Sequence, residues 1–178
     1  MSTLENLQAA FNGESNANAR YIAFARKADE DGYGPIASLF RAAAKAEEIH
    51  AAKHAEVIRK MNAEPKASIQ APQIKSTREN LEAAIQGETY ERDVMYPGFI
   101  KIAEAEKNSA AKSTFSWALR VETQHAMLYT NALAQMDSWR GGKKDFFVCT
   151  VCGMTVTQLD FEQCPVCSHP RDRYIKVN

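Results

Sequence analysis

Along residues 1–136 apolar positions recur in alternating steps of three and four, the period of a helix with one buried face. The pattern predicts four long helices. The first runs from about Thr3 to about Asp29 on the seam Leu4, Leu7, Phe11, Glu14, Asn18, Tyr21, Ala25 and Ala28. Gly32-Tyr33-Gly34-Pro35 ends it, and Pro35 suits the first turn of the next helix, where a missing N–H costs nothing. The second helix carries Ile36, Phe40, Ala43, Glu47, His50, His54, Val57 and Met61. The third follows Leu81, Ile85, Glu88, Met95, Phe99 and Ile102, with a kink expected at Pro97, which removes a ladder hydrogen bond. The fourth follows Phe115, Ala118, Glu122, His125, Tyr129, Ala132 and Met136. Ser2 with Glu5, and Ser76 with Glu79, fit the capping box that starts a helix.

From Ser138 the pattern changes. The glycine-bearing, basic stretch 138–145 reads as a linker. Beyond it, Phe146-Phe147-Val148 and Tyr174-Ile175-Lys176-Val177 suit short strands. The expected division is a helical bundle over 1–137, the linker 138–145, and a small β-rich domain over 146–178.

The helical part repeats itself. Residues 2–14 and 76–88 agree at nine of thirteen positions, 74 apart, while Glu47-x-x-His50 and Glu122-x-x-His125 lie 75 apart. One inserted residue accounts for the slip, and the halves imply two helix pairs related by approximate two-fold symmetry. Each helix should be about 40 Å long at ~1.5 Å per residue. The connection 62–75, with Pro65 and Pro72, can stretch about 45 Å at ~3.3 Å per residue. That is just enough to return along the bundle. Pair, long crossover, pair is a ferritin-like four-helix topology.

The seams carry charge where a core should carry none. Glu14, Glu47, Glu88 and Glu122 lie on them, with His50 and His125. Burying lone carboxylates costs several kcal/mol each, and neighbouring carboxylates also repel. A pair of divalent cations removes both difficulties. Residues i and i+3 share a helix face, so each Glu-x-x-His aims two donors at one place. A single Glu-x-x-His is usually a surface pair. Two in repeat register, joined by two repeat-related glutamates, fit the dinuclear carboxylate site of ferritin-like bundles. Oxygen and imidazole donors suit iron or manganese. Glu91 breaks the symmetry, because its repeat partner is Ala17. It reads either as a solvated residue beside Arg92 or as a seventh ligand at one metal. His54, whose repeat partner is Tyr129, reads as a core histidine or one that supports a ligand. Tyr21, Tyr96 and Tyr129 either hydrogen-bond the glutamates or pack.

All four cysteines fall in the last domain: Cys149-x-x-Cys152, then Cys164-x-x-Cys167. Such knuckles point four sulfurs at one metal, iron or zinc. A dinuclear redox site on the same chain favours iron, since it needs an electron source. The 22 basic and 22 acidic residues balance. That argues against a nucleic-acid partner held by charge. No apolar run approaches the ~20 residues that span a bilayer, so no membrane association is expected. With clustered cysteines, the expected compartment is the reducing cytoplasm.

These residues resemble the rubrerythrin family. The likeness rests on Gly13-Glu14, Glu47-x-x-His50, Gly87-Glu88-x-x-Glu91 with Met95-Tyr96-Pro97, Glu122-x-x-His125, and rubredoxin-like knuckles with Cys-Pro-x-Cys at 164–167. The resemblance implies a peroxidase that reduces hydrogen peroxide at a di-iron site. Electrons would come from an Fe(Cys)4 site at Cys149, Cys152, Cys164 and Cys167. It implies that Glu47 and Glu122 bridge the irons, that Glu14 serves one, and that Glu88 with His125 serves the other. Glu91 and His50 would alternate on the first iron, Glu91 in the oxidised state and His50 in the reduced one. It further implies an NAD(P)H-linked reductase or a rubredoxin as donor. A head-to-tail homodimer would set the cysteine domain of one subunit near the di-iron site of the other. Ser168 departs from the small Gly or Ala common after the second knuckle, and the gap between knuckles is slightly short. The competing readings are a ferroxidase or iron-storage protein, which needs a large shell, and a zinc-ribbon interaction module on a helical scaffold.

Overall fold

The computed structural model describes residues Met1 to Asn178. Its helical part comprises α1 (Thr3–Glu30), α2 (Gly34–Lys60), α3 (Thr77–Tyr90), α4 (Tyr96–Ala105) and α5 (Ser109–Ala134). Both expected capping boxes form, the serine side chain accepting from the backbone of Glu5 or Glu79 and the glutamate answering the serine N–H. α1 and α2 pair antiparallel. α3–α4 and α5 form the second pair, and 62–75 is the crossover between them. The fold is mainly α, a ferritin-like four-helix bundle with a small three-stranded sheet at its C-terminal end.

The third predicted helix is interrupted. A π-helical turn, Glu91–Met95, joins α3 to α4, and Pro97 lies in the first turn of α4. Pro97 has no N–H and its ring crowds the carbonyl four residues back. The wider turn accommodates both, where the sequence pattern suggested only a kink. The turn also absorbs the extra residue of the second half. Glu14 and Glu88 lie 74 apart, but Tyr21 and Tyr96 lie 75 apart. The consequence is a shifted seam: Tyr96 is fully buried while Met95 is only half-buried. Leu4, Phe11 and Ile85, assigned to seams from periodicity, are also only half-buried, and Ala10, Ala17 and Phe24 are buried instead.

The crossover is held by a stripe of carboxamides on α1. Gln8 donates to Glu64 O (2.7 Å) and accepts from Lys66 N (3.1 Å). Asn12 accepts from Ser68 N (2.8 Å), and Asn16 accepts from Gln70 N (2.8 Å). Residues four apart share a helix face, so three side chains satisfy the extended backbone in sequence. Asp31 at the end of α1 then accepts from Thr77 N (3.2 Å), which fixes the start of α3.

The last domain is a sheet of order β2-β1-β3, with β1 Phe146–Cys149, β2 Thr155–Val156 and β3 Tyr174–Val177, all antiparallel. β2 has two residues, too few for any period to show. The expected linker does not hang free. Gly141 N donates to Gly32 O (3.2 Å) and Gly34 N donates to Gly141 O (3.1 Å). A Cβ on Gly34 would lie 2.3 Å from Gly141 O, so this approach requires glycine. One continuous apolar cluster runs from Tyr21, Phe24 and Phe40 through Trp139 and Phe146 to Cys149, Cys152 and Cys164. The sheet therefore packs on the bundle as part of a shared core.

Candidate metal centres

Six of the seven predicted bundle ligands, all but Glu91, reach the centre of the bundle. Glu14 comes from α1, Glu47 and His50 from α2, Glu88 from α3, and Glu122 and His125 from α5; all are buried. They form two close groups, Glu14–Glu47–His50–Glu122 and Glu47–Glu88–Glu122–His125, each with its donor atoms within 4.8 Å of one another. Glu47 and Glu122 belong to both groups. His50 Nδ1 lies 2.9 Å from Glu47 Oε2 and 3.0 Å from Glu122 Oε1. His125 Nδ1 lies 3.2 Å from Glu122 Oε2, 3.3 Å from Glu47 Oε1 and 3.6 Å from Glu88 Oε2.

The atoms that would hold cations are the ones the protein leaves without hydrogen bonds. Glu14 Oε2, both oxygens of Glu47 and of Glu122, Glu88 Oε2, His50 Nδ1 and His125 Nδ1 are buried and unpartnered. Natural interiors leave few such groups, and their convergence here fits two cations that take oxygen and imidazole donors. The titration of these groups tells the same story. Burial above all, with the charges of Glu47 and Glu91, holds Glu14 well above the carboxylate range. Burial pushes Glu88 up to about 7. Burial also works to raise Glu47, but the imidazoles of His125 and His50 close beside it outweigh burial and hold Glu47 below its ordinary value. Burial opposes protonation of His50 and His125, yet the carboxylates around them, Glu122 at His50 and Glu88 at His125, raise both well above the imidazole range. Without cations the site thus competes for protons.

The far side of each terminal glutamate is tied. Tyr21 on α1 donates to Glu88 Oε1 on α3 (2.5 Å), and Tyr96 on α4 donates to Glu14 Oε1 on α1. Each glutamate is left with Oε2 free to face the cluster. Tyr129 packs edge-on to Tyr21, 5.6 Å between ring centres, with its hydroxyl unpartnered. His54 is fully buried and held down at about 3 by burial, so it is neutral. It supports Tyr96 and is not a member of either close group.

Glu91 opens the π-helical turn and stays outside both groups. Burial, then the charges of Glu88, Glu122 and Glu47, raise its carboxyl well above the usual range, against the pull of Arg20. π-Turns inside helices tend to mark functional sites. This one places the unpaired carboxylate of the second half beside the cluster.

The four cysteines converge as expected. Cys149 Sγ lies 3.7 Å from Cys167 Sγ, and Cys152 Sγ lies 3.6 Å from Cys164 Sγ. No disulfide joins them. Burial pushes Cys167 up to about 12, so four thiolates here call for a cation. Gly153 and Ser168 follow their knuckles at φ +81° and +59°. Gly153 is free to adopt that conformation, whereas Ser168 adopts it with a side chain. Tyr174 donates to Cys164 Sγ (3.1 Å), a bond that no motif announced.

The two centres touch. His50 Nε2 lies 3.0 Å from Cys152 O, while its Nδ1 faces the glutamates. His125 Nε2 lies 3.1 Å from Thr155 Oγ1. Arg120 on α5 donates to Val166 O (3.1 Å). A Cβ on Gly153 would lie 2.6 Å from His50 Nε2. The head-to-tail expectation set one subunit's cysteine domain beside the other's di-iron site. Here the two centres meet within one chain. Sequence reasoning did not identify Gly153, Thr155 or Arg120 as contacts, because the docking of one domain on another leaves no local period.

Fold and site together define a ferritin-like di-iron carboxylate protein that carries a rubredoxin-like four-cysteine site. Residues 5–133 match the rubrerythrin family. Nigerythrin of Nitratidesulfovibrio vulgaris is 42% identical over 176 residues, covering 97% of this chain and 85% of its own. Rubrerythrin-2 of Clostridium acetobutylicum is 34% identical over 178 residues, covering 97% and 95%. The structure of fully reduced, all-ferrous nigerythrin superposes with a TM-score of 0.91 at 40% identity, over 99% of this chain and 87% of that one. The chain belongs to the rubrerythrin family, a family of oxidoreductases. No helix is long and apolar enough to cross a membrane.

Proposed function

We propose that the protein is a non-haem di-iron peroxidase that reduces hydrogen peroxide to water. The observation that carries this reading is the direct contact between the two centres, His50 bridging from the glutamate cluster to Cys152 O at 3.0 Å. A storage protein has no use for a one-electron centre seated on its carboxylate site. Two ferrous ions held by Glu14, Glu47, His50, Glu88, Glu122 and His125 would supply the two electrons that, with two protons, convert hydrogen peroxide to two waters, and an iron held by Cys149, Cys152, Cys164 and Cys167 would return electrons one at a time.

The chain's own residues set the conditions. Glu47 and Glu122 belong to both groups and would hold both ions. Glu14 with His50, and Glu88 with His125, complete the two ends. Glu91, beside the cluster but outside both groups, would be the ligand that exchanges with His50. Tyr21 and Tyr96 hold the outer oxygens of the terminal glutamates, which keeps the inner oxygens aimed at the cations. The bundle domain 1–137 supplies the reaction site and 146–178 the electron entry, with a rubredoxin or an NAD(P)H-linked reductase as donor. Free cysteines at a thiolate metal site suit the cytoplasm. A homodimer belongs to the same reading, with the two centres of each subunit joined within that subunit.

The test is anaerobic. The fully reduced protein receives one equivalent of hydrogen peroxide while the visible absorbance of the Fe(Cys)4 site is followed. Colour should return far faster than with dissolved oxygen, and Glu91→Ala should slow that return without altering the colour itself. Equal rates with peroxide and oxygen would refute the peroxidase reading.

A further inference from the structure

The chain repeats itself, but the outer support of its two terminal glutamates does not. Tyr21 and Tyr96 are repeat partners and exchange across the bundle, Tyr21 to Glu88 and Tyr96 to Glu14. Behind them stand a second pair of repeat partners, His54 and Tyr129. His54 Nε2 lies 3.0 Å from Tyr96 Oη, and His54 Nδ1 lies 3.1 Å from Thr114 Oγ1. The hydroxyl of Tyr129 has no partner. Where one half has Thr114, the other has Leu39, which is fully buried and has no hydrogen bond to offer.

Proton counting gives the chain a direction. Tyr96 has one hydroxyl proton and donates it to Glu14 Oε1, so its oxygen accepts from His54. His54 Nε2 must then carry the hydrogen. A neutral imidazole has its other nitrogen free, so Nδ1 accepts from the Thr114 hydroxyl. Thr114, His54, Tyr96 and Glu14 form one buried line of donors that ends on a carboxylate. Such lines strengthen each member by polarising the next. On the other side the hydrogen-bonded line is Tyr21 to Glu88, with the Arg20 guanidinium over the Tyr21 ring at 5.5 Å instead of a hydrogen bond to its hydroxyl.

We propose that His54 is a positioning residue: it holds the Tyr96 hydroxyl on Glu14, so that the iron at Glu14 and His50 sits in a firmer site than the iron at Glu88 and His125. The proposal rests on the di-iron reading of the cluster and not on the identity of the oxidant. It assigns the asymmetry to the iron that lies nearer Cys152, since His50 belongs to that group. His54 also lies 3.8 Å from Glu14 Oε1, so loss of its ring would leave Tyr96 and Glu14 without their support.

The experiment compares the reduced, iron-loaded protein with its His54→Leu, His54→Gln and Tyr129→Phe variants. Each is challenged anaerobically with a ferrous chelator, and the two bundle irons are counted as they leave. Iron-57 Mössbauer spectra record each site. Loss of an outer partner weakens metal binding by roughly 10–100-fold. In His54→Leu one bundle iron should therefore be lost at about tenfold lower chelator, with one doublet changed and the other unmoved. His54→Gln, which restores a donor to Tyr96, should recover most of the difference, and Tyr129→Phe should behave as wild type. Unchanged release in His54→Leu with both doublets intact would overturn the proposal, as would equal weakening of both irons or an equal effect of Tyr129→Phe. If the wild type shows no peroxide-driven reoxidation, the peroxidase reading fails while iron release still decides the role of His54.

Discussion

Removing the metals should turn the bundle into a protein that base destabilises. Eight ligand atoms would be left buried and unpartnered: Glu14 Oε2, both oxygens of Glu47 and of Glu122, Glu88 Oε2, and Nδ1 of His50 and His125. At roughly 1–3 kcal/mol each, that deficit rivals the ~5–15 kcal/mol that holds a typical domain together. Protons relieve part of it. The folded-state values of Glu14, Glu88 and Glu91, and of His50 and His125, are all raised. A raised group contributes stability that is present below its unfolded value and lost as pH climbs through its folded value. Glu47 is lowered, so its contribution is fully present above its unfolded value of 4.5. Between pH 5.5 and 8 the raised groups therefore act in one direction, and Glu47 stays constant. Glu88 alone moves from 4.5 to about 7, which corresponds to about 2 kcal/mol lost between pH 5.5 and 8. Urea unfolding of the metal-stripped protein at pH 5.5 and at pH 8 would measure the loss, and ferrous reconstitution should restore stability and release protons. A metal-stripped protein as stable at pH 8 as at pH 5.5 would refute the reasoning.

Gly153→Ala should push the cysteine domain off His50, because the new Cβ would lie 2.6 Å from Nε2 and the residue would hold φ +81° with a side chain, at ~1–2 kcal/mol; stopped-flow reoxidation of the Fe(Cys)4 colour by peroxide should slow while its spectrum stays the same. Tyr174→Phe removes the hydroxyl bond to Cys164 Sγ, which favours the more negative reduced state. The reduction potential should fall by about 40 mV for ~1 kcal/mol of differential stabilisation in a one-electron couple, read by redox titration. Asn12→Ala frees Ser68 N from α1 and should cost about 1 kcal/mol in urea unfolding, with faster proteolysis within 64–72.

Much of this protein is written locally. Helix starts, seams and the repeat depend on side chains a few positions apart, so Ser2 with Glu5, Glu47 with His50, and Glu122 with His125 could be read directly from the chain. Charge on an apolar seam is itself a statement about metal, because four buried, mutually repelling glutamates need protons or counter-charge, and a pair of cations supplies the counter-charge. The knuckles are equally local, since C-x-x-C is one turn. The tertiary structure decided what depends on closure between distant segments. Periodicity placed Met95 on the seam, but a π-turn that accommodates Pro97 and one inserted residue turned Tyr96 inward to Glu14. Gln8, Asn12 and Asn16 read as a polar face until the crossover backbone lies along them. His54 is one more seam residue until Tyr96 and Thr114 meet it from two other helices. The contact of His50 with Cys152 joins residues 102 apart, and no period in the chain extends that far.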